Sequence, residues 1–149
     1  MDRIATIKAA MNADPEYAAL DANAAAARFN EKVYPGSVPS EDVVRYLSLV
    51  DKWVDMQIAA RSADPLEAAK TKAALRIASA LADFDVFDMS NPLFVSVIDA
   101  GLSGIVAAGL ITADEKNAIM AMGNNLRTRG DALGVGHVYA QHIEMARAL

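Results

Sequence analysis

Alanine is the most frequent residue of the chain and accounts for 31 of its 149 residues. It has the highest helix propensity of all residues and is depleted in strands. Only 6% of the residues are aromatic although 54% are hydrophobic, a composition typical of closely packed helices. We therefore predict an all-α fold, with a single compact domain of six to eight short helices over residues 1–149. A chain of this length buries about two thirds of the surface that it exposes when unfolded.

Proline and capping residues mark where the helices begin. An Asp or Asn stands directly before Pro15, Pro65 and Pro92, which places a capping side chain before the first helical position. Thr112, followed three residues later by Glu115, has the pattern of a capping box. The predicted segments are N-terminal helices over 1–33, a central part over 40–83, a linker over 84–91 and C-terminal helices over 92–149.

The central part is predicted to be an antiparallel hairpin of two helices, because a connection of about three residues usually joins antiparallel neighbours. The first helix covers residues 40–62, with Ser40 as its cap. Its apolar residues recur at helical spacing and predict a buried stripe of Val43, Leu47, Val50, Val54 and Ile58. The second helix covers residues 65–83. Its apolar residues at helical spacing are Leu66, Ala69, Ala73, Ile77 and Leu81.

Polar and apolar residues alternate over residues 84–89, as they do in a half-buried strand. We find no second strand in the sequence for this one to pair with, so we interpret residues 84–91 as an extended linker anchored by its aromatic residues. Residues 92–111 form the most apolar stretch, close in length to a membrane span. Asp99 lies near its centre, where a charge costs about 2.5–3.5 kcal/mol in a bilayer. We predict a core helix there and no membrane partner.

Charge and cysteine content exclude several classes of function. The formal net charge is −5 and the isoelectric point is about 4.9, whereas nucleic acids and anionic membranes are bound through clustered Lys and Arg. The chain has no Cys, which removes disulfides, thiolate metal sites and thiol catalysis. Asp2 and Lys8 interrupt the apolar core that a signal peptide needs. These features predict a protein without nucleic-acid specificity.

The residues that could support catalysis or metal binding are few. His137 and His142 are five positions apart, about 140° around a helix, whereas metal-binding pairs on a helix are spaced by four. Asp85, Asp88 and Asp99 lack the glycine and glutamate of a calcium loop. Only a convergence of these aspartates with His137 would support an enzyme. We predict no catalytic residue, no metal and no cofactor, and leave open whether these histidines and aspartates have a role.

Six stretches of the sequence resemble one family: residues 7–15, 30–33, 94–102, 105–116, 126–138 and 143–148. They resemble small proteins that tailed phages encode among their virion genes, whose role is generally unassigned. In that family an Arg or Ser leads into a Leu-Gly-x-Gly turn, here at residues 133–136, and the last helix ends in Ala-Arg-Ala. Gly130 stands where the family more often has Ala. These motifs are caps and turns, so the resemblance implies a fold and a virion setting but no functional residue.

The resemblance implies a virion component such as a neck, connector or tail-associated protein, assembled in the host cytoplasm. We expect a non-enzymatic protein that acts through contacts with other virion proteins, as a homo-oligomer or in several copies. The alternative is a soluble phage protein that binds and modulates a host protein. Interfaces are enriched in Trp, Tyr and Arg, so the candidate interface residues are Trp53, Arg127, Arg129 and Tyr139. Assembly also predicts exposed apolar patches of several hundred Å².

Overall fold

The computed structural model describes residues 2–149. Within them, 67% of the structure is helical and 7% is strand, which confirms the all-α prediction. The α-helices are α1 (Arg3–Asn12), α2 (Ala22–Asn30), α3 (Ser40–Leu49), α4 (Trp53–Ala60), α5 (Ala68–Asp83), α6 (Pro92–Ala107), α7 (Ala113–Ala121), α8 (Arg129–Ala132) and α9 (Ala140–Ala148). The 3-10 segments are Pro15–Ala19 and Pro65–Glu67, and the strands are β1 (Lys32–Tyr34), β2 (Ser37–Pro39), β3 (Val86–Asp88) and β4 (Arg127–Thr128).

The described residues form two compact units. Unit 1 combines residues 2–35 with residues 125–149, and unit 2 is residues 36–124. The prediction of a single domain over residues 1–149 stays a prediction. No helix within residues 2–149 has both the length and the apolar character needed to span a membrane.

Unit 1 is built from the two ends of the described chain. Helices α1 and α2 both pack against α9, and β1 pairs with β4 in antiparallel orientation. The largest fully buried side chains of its core are Ile7, Tyr17, Phe29, Val138 and Ile143. The packing of α1 against α9 joins segments that are more than a hundred residues apart in the sequence.

Unit 2 is organised around α5, which packs against α3, α4 and α6, while α7 packs against α6. Its core combines residues of all five helices with Val38 of β2 and Phe87 of β3. Leu47, Met56 and Ile105 are among its fully buried side chains. The long apolar helix predicted from Pro92 is α6, and three of its residues, Ile98, Leu102 and Ile105, face this core.

The prediction of one helix over residues 40–62 is wrong, because the chain breaks between α3 and α4. Asp51 adopts a left-handed conformation with φ of 58°, which a helix interior does not allow. The break changes which side chains face the core: Met56 and Ala59 are buried, whereas Val54 and Ile58 are exposed. The central hairpin of two long helices is therefore not confirmed, and the helix count rises to nine within the described residues.

The interpretation of residues 84–91 as an unpaired linker is also wrong. β3 pairs with β2 in antiparallel orientation, and Val38 lies opposite Phe87. The partner strand lies in the proline-containing segment before α3, which the sequence pattern did not identify. Ser40 does not act as the cap of α3, since its hydroxyl donates to the backbone oxygen of Phe84. This side chain instead fixes the end of α5 beside the start of α3.

The predicted helix starts after Asp14, Asp64 and Asn91 are confirmed. Each of these side chains accepts a hydrogen bond from a backbone N–H two residues later, at 3.0–3.1 Å. The first two cap 3-10 segments, and the third caps α6. The capping box of α7 is confirmed as well, since the Glu115 N–H donates to Thr112 Oγ1 at 3.1 Å and the Thr112 N–H donates to Glu115 Oε2 at 2.8 Å.

Replacing Thr112 with alanine is expected to lower the free energy of unfolding by about 0.5–2 kcal/mol, because the backbone N–H of Glu115 loses its acceptor. Urea unfolding followed by circular dichroism measures the change. Thr112→Ser keeps a hydroxyl at the same position and is expected to unfold at nearly the wild-type midpoint. Equal losses for Ala and Ser would show that the hydrogen bond does not stabilise α7.

Candidate functional site

An apolar cleft lies between α5 and α6 in unit 2. Its volume is about 70 Å³ and its walls are almost entirely apolar. Helix α5 contributes Ile77 and Leu81, and α6 contributes Phe94, Ile98 and Leu102. A space of this size can hold one apolar side chain. Water is a poor occupant, because the apolar walls offer it no hydrogen-bond partners.

Three phenylalanines surround one end of the cleft. The ring centroid of Phe94 lies 5.7 Å from that of Phe84, edge to face, and 6.1 Å from that of Phe87. Aromatic pairs favour such arrangements. Phe84 follows directly after α5, and the hydrogen bonds of Ser40 to residues 84 and 85 hold it at the rim. The side chain of Phe84 is 49% exposed, so it lies between the cleft and solvent.

Gly101 of α6 lines the cleft and packs directly against Ile77 of α5. A Cβ atom at this position would be 2.8 Å from Cδ1 of Ile77, which is closer than real Cβ contacts come. The contacted atom is the end of a flexible side chain, so Gly101 packs closely against Ile77 without fixing the distance between the two helices.

One strip of the α6 surface, its outward face, is apolar along its whole length and lies beside the exposed polar residues Ser96 and Asp99. Leu93, Val97, Ala100, Gly104 and Ala107 recur at the three- and four-residue steps of one helix face. Leu93 is 80% and Val97 is 56% exposed. Surface helices of soluble proteins normally carry polar residues on the side that faces solvent. This face is therefore unusual for a helix that contacts only water.

Two polar residues of α6, Asp99 and Ser103, lie beside this face and contact α7. Nζ of Lys116 lies 2.8 Å from Oδ1 of Asp99 and 2.8 Å from Oγ of Ser103. The one carboxylate within the apolar helix is therefore paired inside unit 2. The exposed face itself has no charged residue.

Leu66 is 94% exposed, although its spacing predicted that it would face the core. It lies in the 3-10 segment before α5, where Asp64 accepts from its backbone N–H. This segment does not continue the helical phase of α5, so the side chain points away from the core. Leu66 borders a shallow depression whose other wall contains Gly104 and Ala107 of α6. A leucine exposed to this extent is a strong candidate for an interface anchor.

The four predicted interface residues occupy different settings. Trp53 is half-buried against the core of unit 2. Arg127 is half-buried and donates to the backbone oxygen of Asp131 at 3.3 Å. Tyr139 is exposed at the start of α9. Their role in an interface stays a prediction.

Arg129, the fourth candidate, makes its contacts within unit 1. It lies 3.0 Å from Oδ2 of Asp14 and donates to the backbone oxygen of Ala10 at 3.2 Å. Its guanidinium lies over the rings of Tyr17 and Phe29, at 5.0 Å and 5.5 Å from their centroids. This hydrogen bond to Asp14 holds the pKa of that carboxyl below its usual value. The arrangement ties α8 to the N-terminal segment of the same unit.

Burial raises the pKa of the Tyr17 hydroxyl, which has no hydrogen-bond partner among the described residues. Arg28 adds a second cation at this place, at 3.5 Å from Asp14 and 5.4 Å from the Tyr17 ring centroid. The Tyr17 ring therefore lies among the guanidinium groups of Arg28 and Arg129 and the carboxylate of Asp14. Cation–π contacts stabilise this packing.

The candidate catalytic residues are distributed over both units. Asp85, Asp88 and Asp99 belong to unit 2, and His137 belongs to unit 1. Asp88 accepts from the backbone N–H of Ser90 at 3.0 Å. Within residues 2–149, no three His, Asp or Glu side chains lie together in a way that could hold a metal ion.

The two histidines lie on either side of Tyr139. The ring centroids are 4.7 Å apart for His137 and Tyr139, and 5.4 Å apart for Tyr139 and His142. Nδ1 of His142 accepts from the backbone N–H of Tyr139 at 3.2 Å, so His142 takes the place that Glu or Gln has in a capping box. This role requires an unprotonated Nδ1.

The stability of the protein is expected to fall as the pH drops below 6.5. Partial burial, together with the positive charges of Arg3 and His137, lowers the pKa of His142 from 6.5. In the window below 6.5 the unfolded chain therefore binds more protons than the folded chain, and the free energy of unfolding rises with pH. His142→Gln keeps an acceptor without a titrating group. The variant's urea midpoint should change less between about pH 5 and pH 7 than the wild-type midpoint; equal slopes would contradict this role.

Comparison of the chain with protein-family models, with curated proteins and with solved structures gave no match. The candidate site is therefore defined by its geometry. Sequence reasoning missed it because Leu66 and Val97 occupy positions of ordinary apolar periodicity. The one available signal was that α6 has only three polar residues, Ser96, Asp99 and Ser103.

Proposed function

We propose that this chain is a non-enzymatic structural component of a tailed-phage virion, which acts through protein–protein contacts in several copies. The observation that carries the role in assembly is the exposed apolar surface of unit 2, formed by the outward face of α6, the cleft and Leu66. Apolar side chains exposed next to one another on a protein surface are typical of an interaction site. The virion setting rests on the resemblance of six stretches of the sequence to small phage proteins.

The chemistry of the surface also supports an assembly role. It consists of aliphatic and aromatic side chains, with Arg76 the one cation that lines the cleft. Covering such residues with a second protein releases water from apolar area, at about 25 cal/mol per Å². The prediction that Trp53, Arg127, Arg129 and Tyr139 contribute to contacts belongs to the same proposal.

The test is whether the chain is present in particles. Particles of the phage that encodes it should be purified on a density gradient, and the chain quantified by peptide mass spectrometry against a known capsid protein. We expect it to band with the particles at several copies each. Abundance in the lysate with absence from the particles would contradict the proposal and favour a phage protein that binds a host protein.

A genetic control distinguishes a structural part from a contaminant. A stop codon in the gene is expected to give defective particles, and the wild-type chain supplied in trans should restore infectivity. Normal, infectious particles without the chain would show that it is not required for the structure of the virion.

A further inference from the structure

The exposed features of unit 2 are complementary to each other. Leu66 is an exposed apolar knob, and the cleft between α5 and α6 is an apolar hole open beside Val97 and Phe84. Within one copy they cannot meet, because Leu66 borders Ala107 and the cleft borders Val97. Ten residues of helix separate these positions by about 15 Å. Leu66 and the cleft cannot meet within one copy, but Leu66 of one copy can enter the cleft of a second copy.

We infer that two copies of this chain pair through the outward faces of α6, in antiparallel orientation about a two-fold axis near Ala100, with Leu66 of each copy in the cleft of the other. This inference rests on the proposed function, since it names the partner that covers the apolar surface. Such an interface uses the same patch on both subunits, as two-fold dimers do.

The antiparallel orientation follows from the order of side-chain sizes along α6. The large residues, Leu93 and Val97, lie in its first half, and the small ones, Gly104 and Ala107, lie in its second half. In an antiparallel pair, residues equally far from Ala100 face each other, so Leu93 lies opposite Ala107 of the second copy, and Val97 lies opposite Ser103, next to Gly104. A parallel pair would place Leu93 on Leu93 and leave the small residues without contacts.

The same rotation brings Leu66 to the cleft. Leu66 and the cleft both lie on the α5 side of α6, at opposite ends of it. The two-fold axis lies in the plane of the interface and is perpendicular to α6. Rotation about it reverses the direction of α6 and leaves α5 on the same side of the interface. Leu66 of the second copy then lies next to Phe84, Phe94 and Val97 of the first.

The charges around the two features are opposite in sign. Asp64 and Glu67 flank Leu66; Glu67 is paired with Lys70 at 3.4 Å, which leaves the Asp64 carboxylate, and Arg76 lines the cleft. Arg76 has no ion-pair partner among residues 2–149. In the dimer the Asp64 carboxylate of one copy approaches the Arg76 guanidinium of the other, which adds specificity to the apolar contact.

The paired α6 helices are one part of the proposed interface. Helix α6 has 16 residues and is about 24 Å long. A pair of such helices alone covers less than the roughly 1,200–2,000 Å² that specific interfaces bury. The two contacts of Leu66 with the cleft extend the interface over α5 in both copies.

Sedimentation equilibrium over a range of concentrations tests the inference. The wild-type chain is expected to change from monomer to dimer with concentration, and Leu66→Glu should weaken the association at least tenfold. Leu66 is almost fully exposed, so the variant should keep the wild-type circular dichroism. Leu49→Glu is the matched control, because Leu49 is 78% exposed and lies outside the proposed interface; its dimer should be unchanged. A monomer at all concentrations, or a dimer that Leu66→Glu leaves intact, would overturn the inference.

Disulfide trapping tests the orientation, because the chain has no Cys of its own. A mixture of Leu66→Cys and Val97→Cys chains should form a covalent dimer under mild oxidation, and Leu66→Cys alone should not. Cross-linking of Leu66→Cys with itself would overturn the antiparallel arrangement. The inference and the proposed function fail separately: a Leu66-dependent dimer that is absent from particles refutes only the virion role, and a particle protein without this dimer refutes only the inference.

Discussion

Replacing Gly130 with alanine is expected to lower the free energy of unfolding by about 3 kcal/mol or more, the upper part of the range for overpacked sites. A Cβ atom at this buried position would overlap the backbone oxygen of Gly136. The loop cannot easily move away, because the N–H groups of Val135 and Gly136 both donate to the oxygen of Gly130, at 2.9 Å and 3.0 Å.

Urea unfolding followed by circular dichroism measures this effect, at a protein concentration where the chain is monomeric. Gly104→Ala is the matched control. Gly104 lies in a helix, and a Cβ atom there would meet no other atom within 4 Å. The control variant is expected to gain about 0.5–1 kcal/mol from the better helix propensity of Ala. A Gly130→Ala variant as stable as the wild type would show that the 130–136 turn does not have the described geometry.

Phe29→Ala is expected to lower the free energy of unfolding by about 3–5 kcal/mol, the cost of a large cavity in a core. The Phe29 side chain is fully buried in unit 1, and its ring centroid lies 4.9 Å from that of Tyr17. The substitution also removes one of the two rings under the Arg129 guanidinium.

Urea unfolding followed by far-ultraviolet circular dichroism measures the effect of this substitution. Phe84→Ala serves as the comparison, since about half of the Phe84 side chain already contacts solvent and its loss should cost far less. Equal losses in the two variants would contradict the assignment of Phe29 to the centre of the unit 1 core.

The helix starts could be predicted from the sequence because capping is local. Asp14, Asn91 and Thr112 each bond to a backbone N–H two or three residues away, so the residues that decide the structure are adjacent in the sequence. The break at Asp51 could not be predicted in the same way. Apolar spacing continues through it, so the apolar pattern contains no sign of the left-handed φ of this residue.

The strand pair and the candidate site depend on contacts that are distant in the sequence. β2 and β3 are separated by three helices, and each strand alone is too short to be distinguished from a loop. Leu66 has the spacing of a core residue, and only the 3-10 geometry before α5 turns it to solvent. Arg129 was predicted at an interface because of its residue type, whereas its partner Asp14 lies 115 positions away.

The insertion of unit 2 between the two segments of unit 1 has a consequence for synthesis on the ribosome. At about 5–20 residues per second, translation of residues 36–124 separates the two segments of unit 1 by roughly 4–18 s. All of unit 2 has been made by then, whereas α1 and α2 still lack α9, against which they pack. In nascent chains the apolar faces of α1 and α2, with Ile7 and Phe29, therefore stay exposed for several seconds. Chaperone binding or misfolding would occur during this interval.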